Sequence, residues 1–261
     1  MVVLDIQELK AYFYTLRGYV KAVDGISFQV EKGEAMGLAG ESGCGKTTTA
    51  LAILKILPSN GRIVGGKVLF KGVDITTLSE EEMRQNIRWK GISLVFQGAM
   101  NALNPVQRIG DQIVEAILLH ESDLEKGEAM DRARKLLELV GIQSSRITNY
   151  PHEFSGGMRQ RAMIAMALAS NPDMVIADEP GTALDVIVAA QVLKLLRELK
   201  TKLNVSMILI THDLSIIADT CDKTAIMYAG KLAEYGHVVS VFKDPHAGWE
   251  VELIKDAFPL S

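Results

Sequence analysis

The chain lacks most of the features that would place it in a specialised class. It has only two cysteines, Cys44 and Cys221, in 261 residues. Their spacing fits neither a metal site nor a disulfide framework, so a reducing compartment is expected. No uncharged run approaches the ~20 residues that span a bilayer as a helix. The start, MVVLDIQELK, carries acids early and has no apolar core region, so no signal segment is expected. There is no block of Lys or Arg, and the net charge is −4. Tight nucleic-acid binding needs a basic face to neutralise phosphates and is therefore not expected. Internal repeats and low-complexity tracts are also missing. What is present is ordinary for a soluble globular protein, with 48% hydrophobic residues, 23% charged residues and 22 glycines. The length suits one large domain or a core with a subdomain.

The rest of the chain is organised around Met36 to Leu54. A short apolar run of small residues, MGLAG, reads as a buried strand. A glycine-rich turn and an apolar helical pattern follow it. Gly40-Glu41-Ser42-Gly43-Cys44-Gly45-Lys46-Thr47 fits the phosphate-binding loop pattern at every fixed position. Glycines let successive N–H groups point at one phosphate chain, and the helix presents its positive end to the same anion. Lys46 supplies a point charge for the β- and γ-phosphates, and Thr47 offers a hydroxyl to Mg²⁺. Gly40, Ser42, Gly43, Cys44, Gly45, Lys46, Thr47 and Thr48 are the residues assigned to the nucleotide, with Cys44 as a small filler.

Taken in order, Val2–Phe13 alternates and reads as an edge-type strand, and Val20–Val30 as a second strand. Leu57 to Gly61 stops the helix after the loop. Gly66–Phe70 is a short strand, and Ser79 with Glu82 has the spacing of a capping box. Ile92–Phe96 is a continuous apolar run that ends in Gln97. From Gly98 to about Ser170 there are loops and helices, at Ile109–His120, Met130–Val140 and from Ser155 onward, and no convincing strand. Met174–Ala177 and Val205–Ile210 return to buried-strand character, on either side of an amphipathic helix over Val186–Lys200. A short helix over Leu214–Ala218, a hairpin about Ala229-Gly230 and a mainly helical tail from Val238 close the chain. Apolar strands alternating with helices imply a mostly parallel sheet covered on both faces, with ligands beyond the strand C-terminal ends.

Polar residues stand at those ends. Asp178 and Glu179 follow an apolar strand; one acid there holds Mg²⁺, commonly through water, and the next acts as general base on the attacking water. Gln97 would sense metal and water through its amide. His212, after Thr211, would hydrogen-bond a γ-phosphate. Ser155-Gly156-Gly157 opens a helix with an N-cap and exposed N–H groups, a second phosphate site without a lysine. Within one chain that site is redundant, so it should serve another subunit's nucleotide.

The phosphate loop, Gln97, FSGGMRQR, MVIADEP, ALD and Thr211-His212-Asp213, in that order, resemble the ATP-binding subunit of an ABC transporter over essentially the whole chain. The resemblance implies an α/β P-loop NTPase fold, with a RecA-like, mostly parallel core and an N-terminal antiparallel β part. The core and β part would span 1–97 and 172–237, a helical subdomain 98–171, and a C-terminal helical tail 238–261. It implies ATP and Mg²⁺ as cofactors and a head-to-tail pair of subunits, with itself or a related chain. Each ATP would lie between Gly40–Thr47 of one subunit and Ser155–Gly157 of the other, with Asp185 in the segment that crosses the interface. Phe13 matches the aromatic that stacks on adenine, and Tyr14 and Tyr19 are the alternatives. Integral membrane permease subunits, an extracytoplasmic binding protein and a place on the cytoplasmic face of the cell membrane are also implied. FQGAMNALNP and VFKDPHAGWEVELIKDAFP are similar to segments of the oligopeptide/dipeptide importer branch, whose members also move nickel or sugars. Departures from the family pattern are Phe154 and Met158 in place of Leu and Gln, Gly181 in place of Thr, and His246-Ala247-Gly248-Trp249 in place of HPYT. A soluble ABC ATPase working on DNA or ribosomes is the rival reading; such chains carry coiled-coil insertions, zinc sites or fused cassettes, which are not seen. A P-loop GTPase or kinase fails for want of an NKxD segment and leaves FSGGMRQR unexplained.

Overall fold

The computed structural model describes residues 1–96, 98, 102–121 and 123–243. The expectations for Gln97 and for the tail beyond Lys243 lie outside the described residues. In chain order the elements are β1 (Val2–Thr15), β2 (Gly18–Glu31), β3 (Ala35–Ala39), α1 (Lys46–Ile53), β4 (Gly61–Phe70), β5 (Val73–Asp74), α2 (Glu80–Glu82), β6 (Ile92–Val95), α3 (Ile109–His120), α4 (Lys126–Leu139), α5 (Gly156–Ala167), β7 (Met174–Asp178), α6 (Val186–Leu203), β8 (Ser206–Ile210), α7 (Leu214–Thr220), β9 (Lys223–Tyr228), β10 (Lys231–His237) and α8 (Val238–Lys243). The chain divides into two compact units, Met1–Met83 with the chain from Asn204 onward, and Arg84–Leu203.

The first unit holds two sets of strands. In one, β3 is parallel to β8 and to β9, and β10 closes the edge antiparallel to β9. Every residue of β3 and β8 is buried, which is why both read as near-continuous apolar runs, broken only by Ser206, rather than alternating ones. The end of β3 is anchored from below: Ala39 packs in one cluster with Leu214, Ile217, Ile226, Val238 and Val241, so α7 and α8 hold the strand that feeds the phosphate loop. The other set is antiparallel, in the order β2-β1-β4-β5. β1 is therefore not an edge strand, as its alternation had implied. Alternation reports which face is buried and is silent on whether the backbone edges are paired. β4 also begins earlier than the apolar run GKVLF, because its first half, half-buried or exposed at most positions, pairs with β1 through Phe13↔Gly61 and Ala11↔Ile63.

α1 ends at Ile53, four residues before the expected stop at Leu57. Lys55 takes a left-handed φ of 53° and its N–H bonds Ala52, while Ile56 N–H bonds Leu51. These are the two bonds of a Schellman cap, usually built on glycine. The Lys55 ammonium donates to the Thr76 and Leu78 carbonyls at 2.9 and 2.5 Å, which offsets the unfavourable backbone. The Ser79–Glu82 capping box is formed in both directions, yet α2 is a single turn that passes into a π-helical turn over Met83–Ile87.

In the second unit β6 and β7 are parallel, with Val95 opposite Ala177. Among the described residues from 98 to 173 there is no strand. α3 packs on α4 and α5, and α5 also packs on α6 and β6. Ile109, Ile113, Ile117, Ala129, Ala133 and Leu137 are buried at this helical centre. α4 begins at Lys126, earlier than the expected Met130, because the Glu128 carboxylate accepts from Glu125 N–H. The unit boundaries, 83 and 203, differ from the expected subdomain limits of 98 and 171: β6, β7 and α6 cluster with the helices that α5 touches.

Candidate active site

In the first unit the phosphate loop leaves β3 and enters α1. Its three glycines are needed for different reasons. Gly40, Gly43 and Gly45 have φ of 137°, 82° and 111°, all in the region that favours glycine. A Cβ on Gly40 would collide with the Met227 carbonyl, and one on Gly45 with the Ala22 carbonyl. At Gly43 nothing lies within 4 Å, so that glycine faces open space. The loop's exit is pinned by Gly230 N–H donating to Cys44 C=O at 3.0 Å. Cys44 is buried, in keeping with a filler role.

Lys46 is only 6% exposed. Its ammonium donates to the carbonyls of Gly40 at 2.6 Å and Glu41 at 2.8 Å, and lies 3.7 Å from Cys44 Sγ. A buried ammonium must be hydrogen-bonded, and the loop's own backbone does this while keeping the charge inside the turn. Ser42, Gly43 and Thr47 are exposed and Thr48 is half-buried. His212 follows β8, whose Ile210 pairs with Leu38 of β3, and Thr211 N–H bonds Leu38 C=O at 3.3 Å. The exposed imidazole is thus carried on the strand beside the one that feeds the loop. Asp213 caps α7 through Ser215 N–H at 2.9 Å, which fixes where the strand ends.

Aromatics gather on the β1–β2 hairpin, and β2 touches the loop at Ala22. Phe13 is half-buried, with its ring edge 2.9 Å from where a Cβ on Gly61 would stand. Tyr14 and Tyr19 are 52% and 58% exposed. Tyr19 stacks on Tyr12, centroids 5.5 Å apart and planes at 3°. Tyr12 donates to Asp24 at 2.5 Å; this bond above all raises the phenol to about 12 and lowers the Asp24 carboxyl.

In the second unit Asp178 ends β7 and is buried, while Glu179 is half-buried with φ of 45°. Glu179 Oε2 accepts from the Thr182 hydroxyl at 2.8 Å. Ser155 caps α5 by accepting from Met158 N–H at 3.3 Å, which leaves its own hydroxyl proton to donate. Phe154, the departure from leucine, is buried and keeps the apolar role. Asp185 caps α6 through Val188 N–H at 2.9 Å, and a Cβ on Gly157 would collide with Val188 Cγ1. The structure therefore brings the Ser155–Gly157 turn and the Asp185 turn side by side. The sequence showed neither the cap at Asp185 nor this packing reason for Gly157; a carboxylate immediately before an apolar helical run was the available signal for the cap.

The family model described as "ABC transporter" matches residues 23–182, which take in the phosphate loop, the Ser155–Gly157 turn and the Asp178–Glu179 pair. The chain belongs to the ABC transporter family. As an ABC-family ATPase it has curated relatives along most of its length. It is 48% identical to the oligopeptide transport ATP-binding protein OppD of Bacillus subtilis, over 93% of this chain and 68% of that protein. The dipeptide transport ATP-binding protein DppD of the same organism is also 48% identical, over 93% of this chain and 73% of that protein. Salmonella typhimurium OppD is 45% identical over 97% and 75%. Solved ABC cassettes share the fold. cbiO1 from Clostridium perfringens superposes with a TM-score of 0.80 at 25% identity, covering 99% of this chain and 96% of that one. The dimeric cassette MJ0796 bound to ADP and Pi gives 0.79 at 23% identity, over 90% and 98%.

Proposed function

We propose that this ABC ATPase binds ATP with Mg²⁺ and hydrolyses it to power import of oligopeptides or dipeptides through integral permease subunits at the cytoplasmic face of the membrane. The observation that carries the reading is the phosphate loop, with a buried lysine held inside a glycine-shaped turn at the head of α1. The names and identities of the peptide-transport relatives support the substrate class. Thr47 and Asp178 present hydroxyl and carboxylate oxygens, the hard donors that suit Mg²⁺, and Gln97 is the further amide proposed for it. When bound, that ion neutralises charge on the β- and γ-phosphates. Lys46 exchanges loop carbonyls for phosphate oxygens. Glu179 takes the proton of the attacking water, and His212 hydrogen-bonds the γ-phosphate. Phe13 stacks on adenine, with Tyr14 and Tyr19 as the alternative rings. Ser155, Gly156 and Gly157 donate to the nucleotide of a second, head-to-tail ATPase subunit, and Asp185 lies in the segment crossing to it.

Among the described residues no helix is long and apolar enough to cross a membrane, so the reading assigns that crossing to partner chains, with a substrate-binding protein outside. Tagged chain isolated with its native membranes tests the proposal. Multi-spanning permease subunits should co-purify, and short peptides should stimulate ATP hydrolysis in the complex. Co-purification of ribosomes or DNA would overturn the importer reading, and stimulation by sugars or nickel alone would overturn the substrate class.

A further inference from the structure

Between β7 and α6 the chain turns through Glu179-Pro180-Gly181-Thr182. Two bonds close this turn onto one residue. Thr182 N–H donates to the Glu179 carbonyl at 3.1 Å, and the Thr182 hydroxyl donates to Glu179 Oε2 at 2.8 Å. Glu179 has a φ of 45° and Ala183 one of 66°, left-handed values uncommon for residues with a Cβ. Backbone held in such regions persists only where its surroundings over-determine it, and it clusters at functional sites. Gly181, the residue that departs from the family's threonine, has its own packing reason. A Cβ there would already stand 3.1 Å from Ala189 Cβ on α6, closer than ordinary van der Waals contact. The hydroxyl of this turn therefore belongs to position 182.

We propose that Thr182 is a positioning residue for ATP hydrolysis, its hydroxyl fixing the carboxylate of Glu179. The proposal rests on the reading of Glu179 as the general base. In the step it serves, the water oxygen bonds to the γ-phosphorus while the bond from that phosphorus to the β–γ bridging oxygen breaks. The bridging electron pair leaves with ADP, and the water proton goes to the Glu179 carboxylate. A carboxylate accepts at two oxygens, and tethering Oε2 sets the rotation of the group, hence the direction in which the other oxygen meets a proton. A base must lie within hydrogen-bond reach of the proton it abstracts, so a swing of the carboxylate lowers the rate without touching nucleotide binding. Thr182 itself does not contact phosphate; it acts through Glu179.

Thr182→Val removes the hydroxyl and keeps the shape at an exposed position, so the turn's packing is preserved. In the full chain, the Val variant should lose about tenfold in kcat, equivalent to about 1.4 kcal/mol on the barrier. KM, the Kd for ATP and the melting temperature should stay unchanged. Thr182→Ser restores the donor and should recover most of the rate. In a Glu179→Gln background, already slow, Thr182→Val should cost nothing further. Normal turnover in Thr182→Val beside a slow Glu179→Gln would overturn the positioning role and leave the base reading intact. A loss that Ser does not rescue, or one that persists in the Glu179→Gln background, would overturn it by showing an effect not carried through the carboxylate. Normal turnover in Glu179→Gln would sink the base reading, and the proposal with it.

Discussion

At the scale of single residues, the phosphate loop separates two demands that a glycine pattern merges. Gly40 and Gly45 are needed because the chain's own carbonyls occupy the space where a side chain would go. Gly43 is needed for its backbone angle, and the space in front of it is empty of protein. Alanine variants should therefore divide. Gly45→Ala meets both the Ala22 carbonyl and a left-handed backbone, and should lower stability by about 2–3 kcal/mol, the upper part of the range for strained positions. Gly43→Ala carries the backbone cost alone, about 1–2 kcal/mol. It should still lose ATP affinity, because the new methyl faces open space that the proposed reading gives to a phosphate. Thermal unfolding and ATP titration of the two variants check this; equal melting temperatures would mean that the Ala22 contact does not constrain the loop. The loop was legible in the sequence because its left-handed backbone and its phosphate donors are demands met within eight consecutive residues. Val188 against Gly157 and Ala22 against Gly45 were not, because each partner is distant in sequence and carries no pattern of its own.

At the scale of elements, the buried strands and α3 were read to within a residue, since burial on both faces and 3.6-residue periodicity leave strong traces, while α4 starts four residues early and α6 ends three residues late. Two kinds of error remain: strand pairing, as at β1 and β4, and element ends where a side chain does an unusual job. Lys55 occupies a left-handed cap that glycine would announce, and it does so because its ammonium reaches two carbonyls more than twenty residues on. The C-terminal end of α3 carries a comparable local constraint. His120 packs beside Trp89, ring centroids 6.1 Å apart, and its Nε2 is buried without a hydrogen-bond partner. Burial, then the charge of Lys90, holds the imidazole below its ordinary value, against a smaller opposite pull from Glu121. The folded chain thus binds the proton less readily than the unfolded chain does. Stability from this site is complete above the ordinary histidine value of 6.5 and is lost as pH falls through the lower folded value. His120→Gln removes the titration. The drop in melting temperature between about pH 7.5 and 5.5 should be smaller in the variant than in the native chain. Equal drops would show that another group carries the acid sensitivity.

At the scale of the whole molecule, the residues of the proposed site are divided between the two units. The phosphate loop, Lys46 and His212 belong to one, and Asp178, Glu179, Asp185 and the Ser155 turn to the other. The Ser155 turn has no lysine and caps a helix whose first turn carries no acid, so its N–H groups and dipole are available to an anion. In the proposed head-to-tail pair, that anion is the γ-phosphate of ATP held by a partner's loop. ATP is then part of the interface, and the pair should form only while the nucleotide is intact. Glu179→Gln, which slows hydrolysis in the reading above, should double in mass by light scattering when ATP is added and stay single with ADP. Adding Gly156→Asp to that variant provides the control. A carboxylate in the first turn suits the helix dipole, so α5 is retained, but it puts negative charge where the phosphate must sit. Each chain should still bind ATP through its own loop, and the mass should no longer double. Doubling that persists with Gly156→Asp would remove the Ser155 turn from the interface. If Glu179→Gln binds ATP and never doubles, this chain does not pair with itself, and the proposed second subunit must be a related ATPase.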